Sequence, residues 1–306
     1  MPFKLNAYLP SKQTEVQIKE LYYKQYRELV KSLYNTDKKE TIQQYNSILQ
    51  DLCSDIVDKD ITFEDKLSLL LTIRNYCISP DLRLKGTLSD GGTFNYSITV
   101  EELIKKVKNI NKSTSLQYNN ITIEISSYKI RDEHIFLSNN KDIFVILASY
   151  IDTIKVENEL VIFKDLTMDE RLRVVESLPY ALVTDLTKVI ENKENEYEVF
   201  DLLSVPNPVT KQPVLRLSCN ITYEVLQKCI ELLFTENLNN VYRAFYNMIK
   251  FAGFDPNYID KITPVELQVY WMYYMQDIQK AESEKSANTK SGGLNMPMTP
   301  NTELGF

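Results

Sequence analysis

The chain contains a single histidine, His134, within Arg131-Asp132-Glu133-His134-Ile135-Phe136. Nucleophilic catalysis by serine or cysteine ordinarily draws on an imidazole base. Any such site would have to be built around this one residue. Its charged neighbours and its place at the edge of an apparent strand suit a surface or salt-bridged imidazole better. One histidine also excludes a His₂ or His₃ zinc site. The four cysteines, Cys53, Cys77, Cys219 and Cys229, never fall at CxxC spacing. Their neighbours are apolar, so buried free thiols are expected rather than zinc ligands or a redox pair. Backbone cradles for phosphate need glycine. Before the C-terminal stretch the only glycine cluster is Asp90-Gly91-Gly92, which precedes a strand and reads as a turn. Glu194, Glu196, Glu198 and Asp201 form a carboxylate run in an apparent loop. The run lacks the glycine and the spacing of a calcium loop, and a solvated charged loop is the plainer reading. The expectation is therefore no catalytic residue, no cofactor and no metal. An enzyme working with carboxylates alone has no motif in its favour.

The unusual residue is tyrosine, at 20 copies against one tryptophan. The densest cluster is Tyr270-Trp271-Met272-Tyr273-Tyr274-Met275. Six consecutive residues on a helix cover every face, so a one-sided helix would leave several large side chains in water. Either this helix is central to a bundle and buried all round, or one face packs internally while the other meets a partner chain, since Tyr, Trp and Met are enriched at interfaces. The preceding segment is as aromatic, with Tyr242, Phe245, Tyr246, Phe251 and Phe254. Tyr270 to Met275, with Phe251 and Phe254, are the candidate partner-binding residues.

Capping boxes show where helices begin, because a Thr three residues before Glu or Gln can satisfy orphan N–H groups. They occur at Thr14–Gln17, Thr99–Glu102, Thr167–Glu170 and Thr263–Glu266, with a looser version at Thr62–Asp65. Apolar spacing predicts helices over about 15–34, 38–57 and 63–77, the last with Leu67, Leu70, Leu71 and Tyr76 inward. From about 82 to 165 the pattern shortens and alternates. Phe94–Ile98 and Ile121–Ile125 read as half-buried strands, and Ile151–Phe163 as a hairpin turning at Glu157-Asn158. Helices resume at 168–178 and 180–192. Asn207-Pro208 and Gln212-Pro213 mark a loop before a strand at Val214–Leu217. A closing block of helices follows at 222–235, 237–252 and 264–284, with Gly253 as a C-cap. The fold class is α+β: a helical region over 1–80, a central region over 81–220 with a small, mostly antiparallel sheet, a helical bundle over 221–285 and a flexible tail over 286–306. Irregular alternation of strands and helices argues against a doubly wound sheet.

Net charge is −7, from 35 Lys+Arg and 42 Asp+Glu. Residues 152–204 carry that deficit alone, with 13 carboxylates and 6 cations. Duplex binding needs a cationic surplus, so no nucleic-acid partner is expected. The opening residues lack the apolar core of a signal peptide. No apolar run approaches the ~18 residues that span a bilayer, so no membrane association is expected.

Leu233–Phe254 (LFTENLNNVYRAFYNMIKFAGF) and Ile262–Ile278 (ITPVELQVYWMYYMQDI), with Met1–Asn6 (MPFKLN) and Ile73–Leu82 (IRNYCISPDL), carry a resemblance. Over about 1–280 the chain resembles the baseplate hub and hub-assembly family of T-even-like contractile-tailed phages. The resemblance implies a virion-related protein without enzymatic activity, made in the cytoplasm of an infected bacterium and located in the tail baseplate. Its implied partners are other tail and hub proteins, the tape-measure protein among them, with a homo-oligomer left open. The resemblance implies either a built-in hub subunit or an assembly chaperone that binds the tape-measure or hub proteins and need not remain in the particle.

Overall fold

The computed structural model describes residues 4–35, 37–53, 61–88, 91–109, 114–127, 129, 132–133, 142–199, 201–218 and 238–288. His134, Cys219, Cys229 and the helix expected at 222–235 lie outside them, as do residues 289–306.

The first element is a hairpin, where a helix was expected from Thr14. Strands β1 (Lys4–Leu9) and β2 (Thr14–Lys19) pair antiparallel, with Leu5 opposite Ile18 and Ala7 opposite Val16. The Thr14–Gln17 box is thus no cap. In Thr14–Lys19 the apolar residues Val16 and Ile18 repeat with period two, which suits a half-buried strand. Gln13, at φ 49°, closes the turn. The helix waits until α1 (Tyr23–Ser32), where the Gln25 side-chain oxygen accepts from the Tyr22 N–H at 3.1 Å.

Helices α2 (Lys38–Leu52) and α3 (Phe63–Ile73) follow. Thr62 and Asp65 cap α3 reciprocally, at 3.4 and 3.1 Å. Every residue of α3 is buried, as expected of a helix packed on all sides. A wider, π-helical turn over Arg74–Ile78 ends it. Tyr76, expected inward, is exposed, because the wider turn rotates it off the α-helical apolar stripe.

Strands β3 (Asp81–Thr87) and β4 (Thr93–Thr99) form a second hairpin across Gly91-Gly92, with Gly91 at φ 83°. Thr99 caps α4 (Val100–Val107). Among the described residues the largest sheet is an antiparallel meander of β5 (Thr114–Tyr118), β6 (Ile121–Ile125), β7 (Ile151–Val156) and β8 (Glu159–Ile162). The turn into β8 falls at Glu157, as read from sequence. Helix α5 (Ile143–Tyr150) leads into this sheet. Helices α6 (Met168–Glu176) and α7 (Tyr180–Val199) follow it. Strands β9 (Asp201–Pro206) and β10 (Pro213–Ser218) make a last hairpin around the Asn207–Gln212 loop. Glu194, Glu196 and Glu198 stand in the final turns of α7 and Asp201 opens β9. The carboxylate run therefore lies on regular structure rather than in a loop. The architecture is α+β, with small antiparallel sheets set among helices.

The C-terminal helices are α8 (Leu238–Lys250), the single turn α9 (Pro256–Ile259) and α10 (Pro264–Asn288). Gly253, at φ 73°, ends α8 as a C-cap should. Helix α1 meets the segment between α9 and α10. The Tyr23 N–H donates to the Ile262 carbonyl at 2.7 Å, and Arg27 pairs with Asp260 at 2.8 Å. Helix α10 also packs against the turn at Arg74–Ile78.

Candidate functional site

Two places concentrate unusual chemistry, one inside and one on the surface. The interior one is a set of buried charges that sequence patterning missed. Lys66 on α3 is fully buried and its ammonium lies 2.8 Å from Glu133 Oε1. Asn46 of α2 donates to the other oxygen of Glu133 at 2.8 Å. Beside them, Asp132 receives Arg171 of α6 at 3.0 Å, and Lys129 reaches Asp152 on β7 at 2.7 Å. Asp65 accepts from the Ser11 N–H at 3.0 Å. Glu64 accepts from the Ser127 hydroxyl, and burial, ahead of every other cause, pushes its carboxyl pKa up. Lys66, Arg171 and Lys129 each meet a carboxylate on another segment, and Glu64 and Asp65 accept from Ser127 and Ser11. The arrangement ties α2, α3, α6 and the sheet to Ser127, Lys129, Asp132 and Glu133. Its signal in the sequence is Glu64-Asp65-Lys66 between Phe63 and Leu67, three charges on a mostly apolar helix.

Among the described residues no group of three or more His, Cys, Asp or Glu could hold a metal ion. No helix among them is long and apolar enough to cross a membrane. Cys53 and Cys77 are buried free thiols, and burial pushes both pKa values up to about 12.

The surface site is built by α8 and α10 over α1. The buried side of α8 is narrow: Val241 and Met248 are covered, whereas Tyr242 and Tyr246 face solvent. Phe245 stacks parallel on Tyr23 with ring centroids 6.3 Å apart, and the Arg27 guanidinium lies 4.0 Å above the Phe245 ring. The structure divides the eight aromatic and Met candidates. Phe254, Tyr270, Trp271, Tyr274 and Met275 are half-buried. Met272 and Tyr273 are 54% and 57% exposed, and Phe251 is 54% exposed. Helix α10 is therefore not buried all round. Tyr270 packs against Phe254 at 5.5 Å, and its hydroxyl lies 3.2 Å from that of Tyr258; this hydrogen bond pushes the Tyr270 pKa up. Trp271 and Tyr274 contact each other at 5.5 Å.

Trp271 also borders a small, mostly apolar groove. Tyr23 and Tyr26 of α1, Asn240, Val241, Ala244 and Met248 of α8, and Pro264, Leu267 and Gln268 of α10 complete its lining. Sequence reading singled out Trp271 but not the α1 tyrosines, which lie more than 200 positions away and meet it only through folding.

The class these features define is an α+β protein with a partly exposed aromatic surface on its C-terminal helices. Residues 2–200 match the family model described as T4 bacteriophage base plate protein, and the chain belongs to that family. No curated protein and no solved structure matches the chain. Membership makes this a phage baseplate protein, a class that works in the virion tail through contacts with other baseplate and tail proteins. The resembling strings at 233–254 and 262–278 fall outside the matched residues, whereas Ile73–Leu82 falls within them.

Proposed function

We propose that the chain is a non-enzymatic structural subunit of the tail baseplate hub, acting through protein–protein contacts in the assembly of a contractile tail. Membership in the baseplate family over residues 2–200 is the observation that carries this reading. The exposed aromatic face supports it. Soluble proteins seldom leave several large apolar side chains together in water unless another surface covers them. Phe251, Phe254 and Tyr270 to Met275 are the proposed contact residues, and other hub proteins or the tape-measure protein are the proposed partners.

Mass spectrometry of purified particles tests it. Detection at a low, fixed stoichiometry relative to known tail proteins is the expected result. Presence in tail intermediates with reproducible absence from particles would make the protein an assembly factor instead. Absence from both would overturn the reading.

A further inference from the structure

We propose that the exposed face of α10 pairs antiparallel with α10 of a second copy of this chain. The inference rests on the interface reading above and names the occupant of that face.

Spacing lays out the face. Val269, Met272, Gln276 and Gln279 recur at intervals of three and four residues, which is the seam that one long helix presents to another. All four are exposed. They lie across the helix from Leu267, the side chain that α10 buries against the body of the protein. The helix runs on to Asn288, so it outlasts the seam.

Charge decides what covers it. Glu266 lies seven residues before Tyr273 and Lys280 seven after. Seven residues make two turns, so these three exposed side chains stand in one line along an edge of the seam. Consider a two-fold axis that crosses the helix between Met272 and Gln276. It lays this line on its own copy in reverse. Tyr273 then stands beside its counterpart, and Glu266 of each chain stands beside Lys280 of the other, so one contact yields two ion pairs. On the opposite edge Gln268 and Glu282 lie seven residues either side of Met275. The same axis sets a neutral amide beside each Glu282, and no like charges meet. Parallel pairing instead places Lys280 beside Met275 and gains neither pair. The Glu266 carboxylate is held in place by its cap, accepting from the Thr263 N–H at 2.7 Å and the Thr263 hydroxyl at 3.0 Å. Both donors are neutral, so its charge still faces outward. A surface complementary to itself under a two-fold rotation is what a symmetric pair of identical chains requires. The apolar part of the seam is short, Val269 and Met272 with Tyr273 at the edge, which makes the pair a reversible one of modest area.

Sedimentation equilibrium of the full chain over a concentration series reads the pairing directly. A reversible monomer–dimer equilibrium is expected. Met272→Arg, at an exposed position, is expected to leave the chain monomeric with its thermal melt unchanged. Lys280→Glu turns both ion pairs into repulsions. It is expected to weaken the dimer roughly ten-fold at low salt, and much less in molar salt, because exposed charges are screened. A short bismaleimide is expected to join Tyr273→Cys chains in pairs, with the native chain as control for its own cysteines. It is expected to leave Lys280→Cys chains single, because copies of 280 stand roughly 20 Å apart along an antiparallel pair. Crosslinking at 280 as efficient as at 273 would mean parallel pairing and overturn the proposal. So would a dimer that survives Met272→Arg, or a Lys280→Glu effect indifferent to salt. A chain monomeric at every concentration would overturn it too and leave the face to a different baseplate protein. Particle composition plays no part in these measurements, so their failure and that of the baseplate reading are separate results.

Discussion

The Tyr23 hydroxyl donates a buried hydrogen bond of 2.7 Å to the Val241 carbonyl, across 218 positions of the chain. With the Tyr23–Phe245 stack and the Arg27–Asp260 pair, it fastens the C-terminal helices, which lie beyond the family-matched residues, onto the first helix of the chain. The groove exists because of this fastening, since its lining comes from both ends.

Tyr23→Phe keeps the ring and removes the donor, leaving the buried Val241 carbonyl short of a partner. Loss of about 1–2 kcal/mol in chemical denaturation is expected. An unchanged stability would show that water replaces the hydroxyl.

Lys66→Met leaves Glu133 buried without its cation. Breaking a buried pair from one side costs roughly 3–5 kcal/mol, which is a large share of a domain's stability. The double variant Lys66→Met, Glu133→Leu is expected to recover much of that loss, because neither charge is then stranded. Urea unfolding of the single and double variants measures the difference.

Glu64 carries a carboxyl whose pKa is raised by burial above its ordinary 4.5. The folded state therefore holds this proton more tightly than the unfolded chain. The resulting stabilisation is complete below pH 4.5 and is lost as pH rises through the folded-state value. Glu64→Gln keeps a neutral group of the same shape. Its stability relative to the native protein is expected to grow as pH rises from 4.5, as followed by thermal melts across a pH series. A difference independent of pH would refute the assignment.

Met272→Ala and Tyr273→Ala remove exposed side chains. Each is expected to change monomer stability by no more than about 0.5 kcal/mol. Each is also expected to lower incorporation into tails when supplied in place of the native protein. Trp271→Ala, which empties part of the groove lining, is expected to lower both stability and incorporation. Normal incorporation of the Met272 and Tyr273 variants would remove this face from the contact surface.

Cys53 and Cys77, with thiols pushed up to about 12, are expected to resist iodoacetamide in the folded chain at mildly alkaline pH. Both should alkylate fully in denaturant, as read by peptide mass spectrometry, because the thiolate is the reacting form. Rapid labelling of either in the native protein would place it at an opening surface.

Local interactions were legible in the sequence wherever they were complete within a few residues. The caps at Thr62, Thr99, Thr167 and Thr263 are present. So are the hairpin turn at Glu157 and the Gly253 stop. A capping box needs only a hydroxyl, a carboxylate and a turn of chain, and a positive φ needs only the residue and its neighbours. The Thr14 box misled because the same residues also satisfy a period-two pattern. The strand prevailed because β1, earlier in the chain, offers Leu5 and Ala7 as pairing partners. The aromatic surplus and the acidic bias of residues 152–204 are likewise properties of sequence. Tertiary structure alone decided that Glu64, Asp65 and Lys66 are buried, because their partners at 127, 11 and 133 approach only after folding. It alone placed Tyr23 and Tyr26 beside Trp271. Short-range order follows from the steric and hydrogen-bonding demands of neighbouring residues. A groove between distant segments depends on which surfaces the whole chain can bury together.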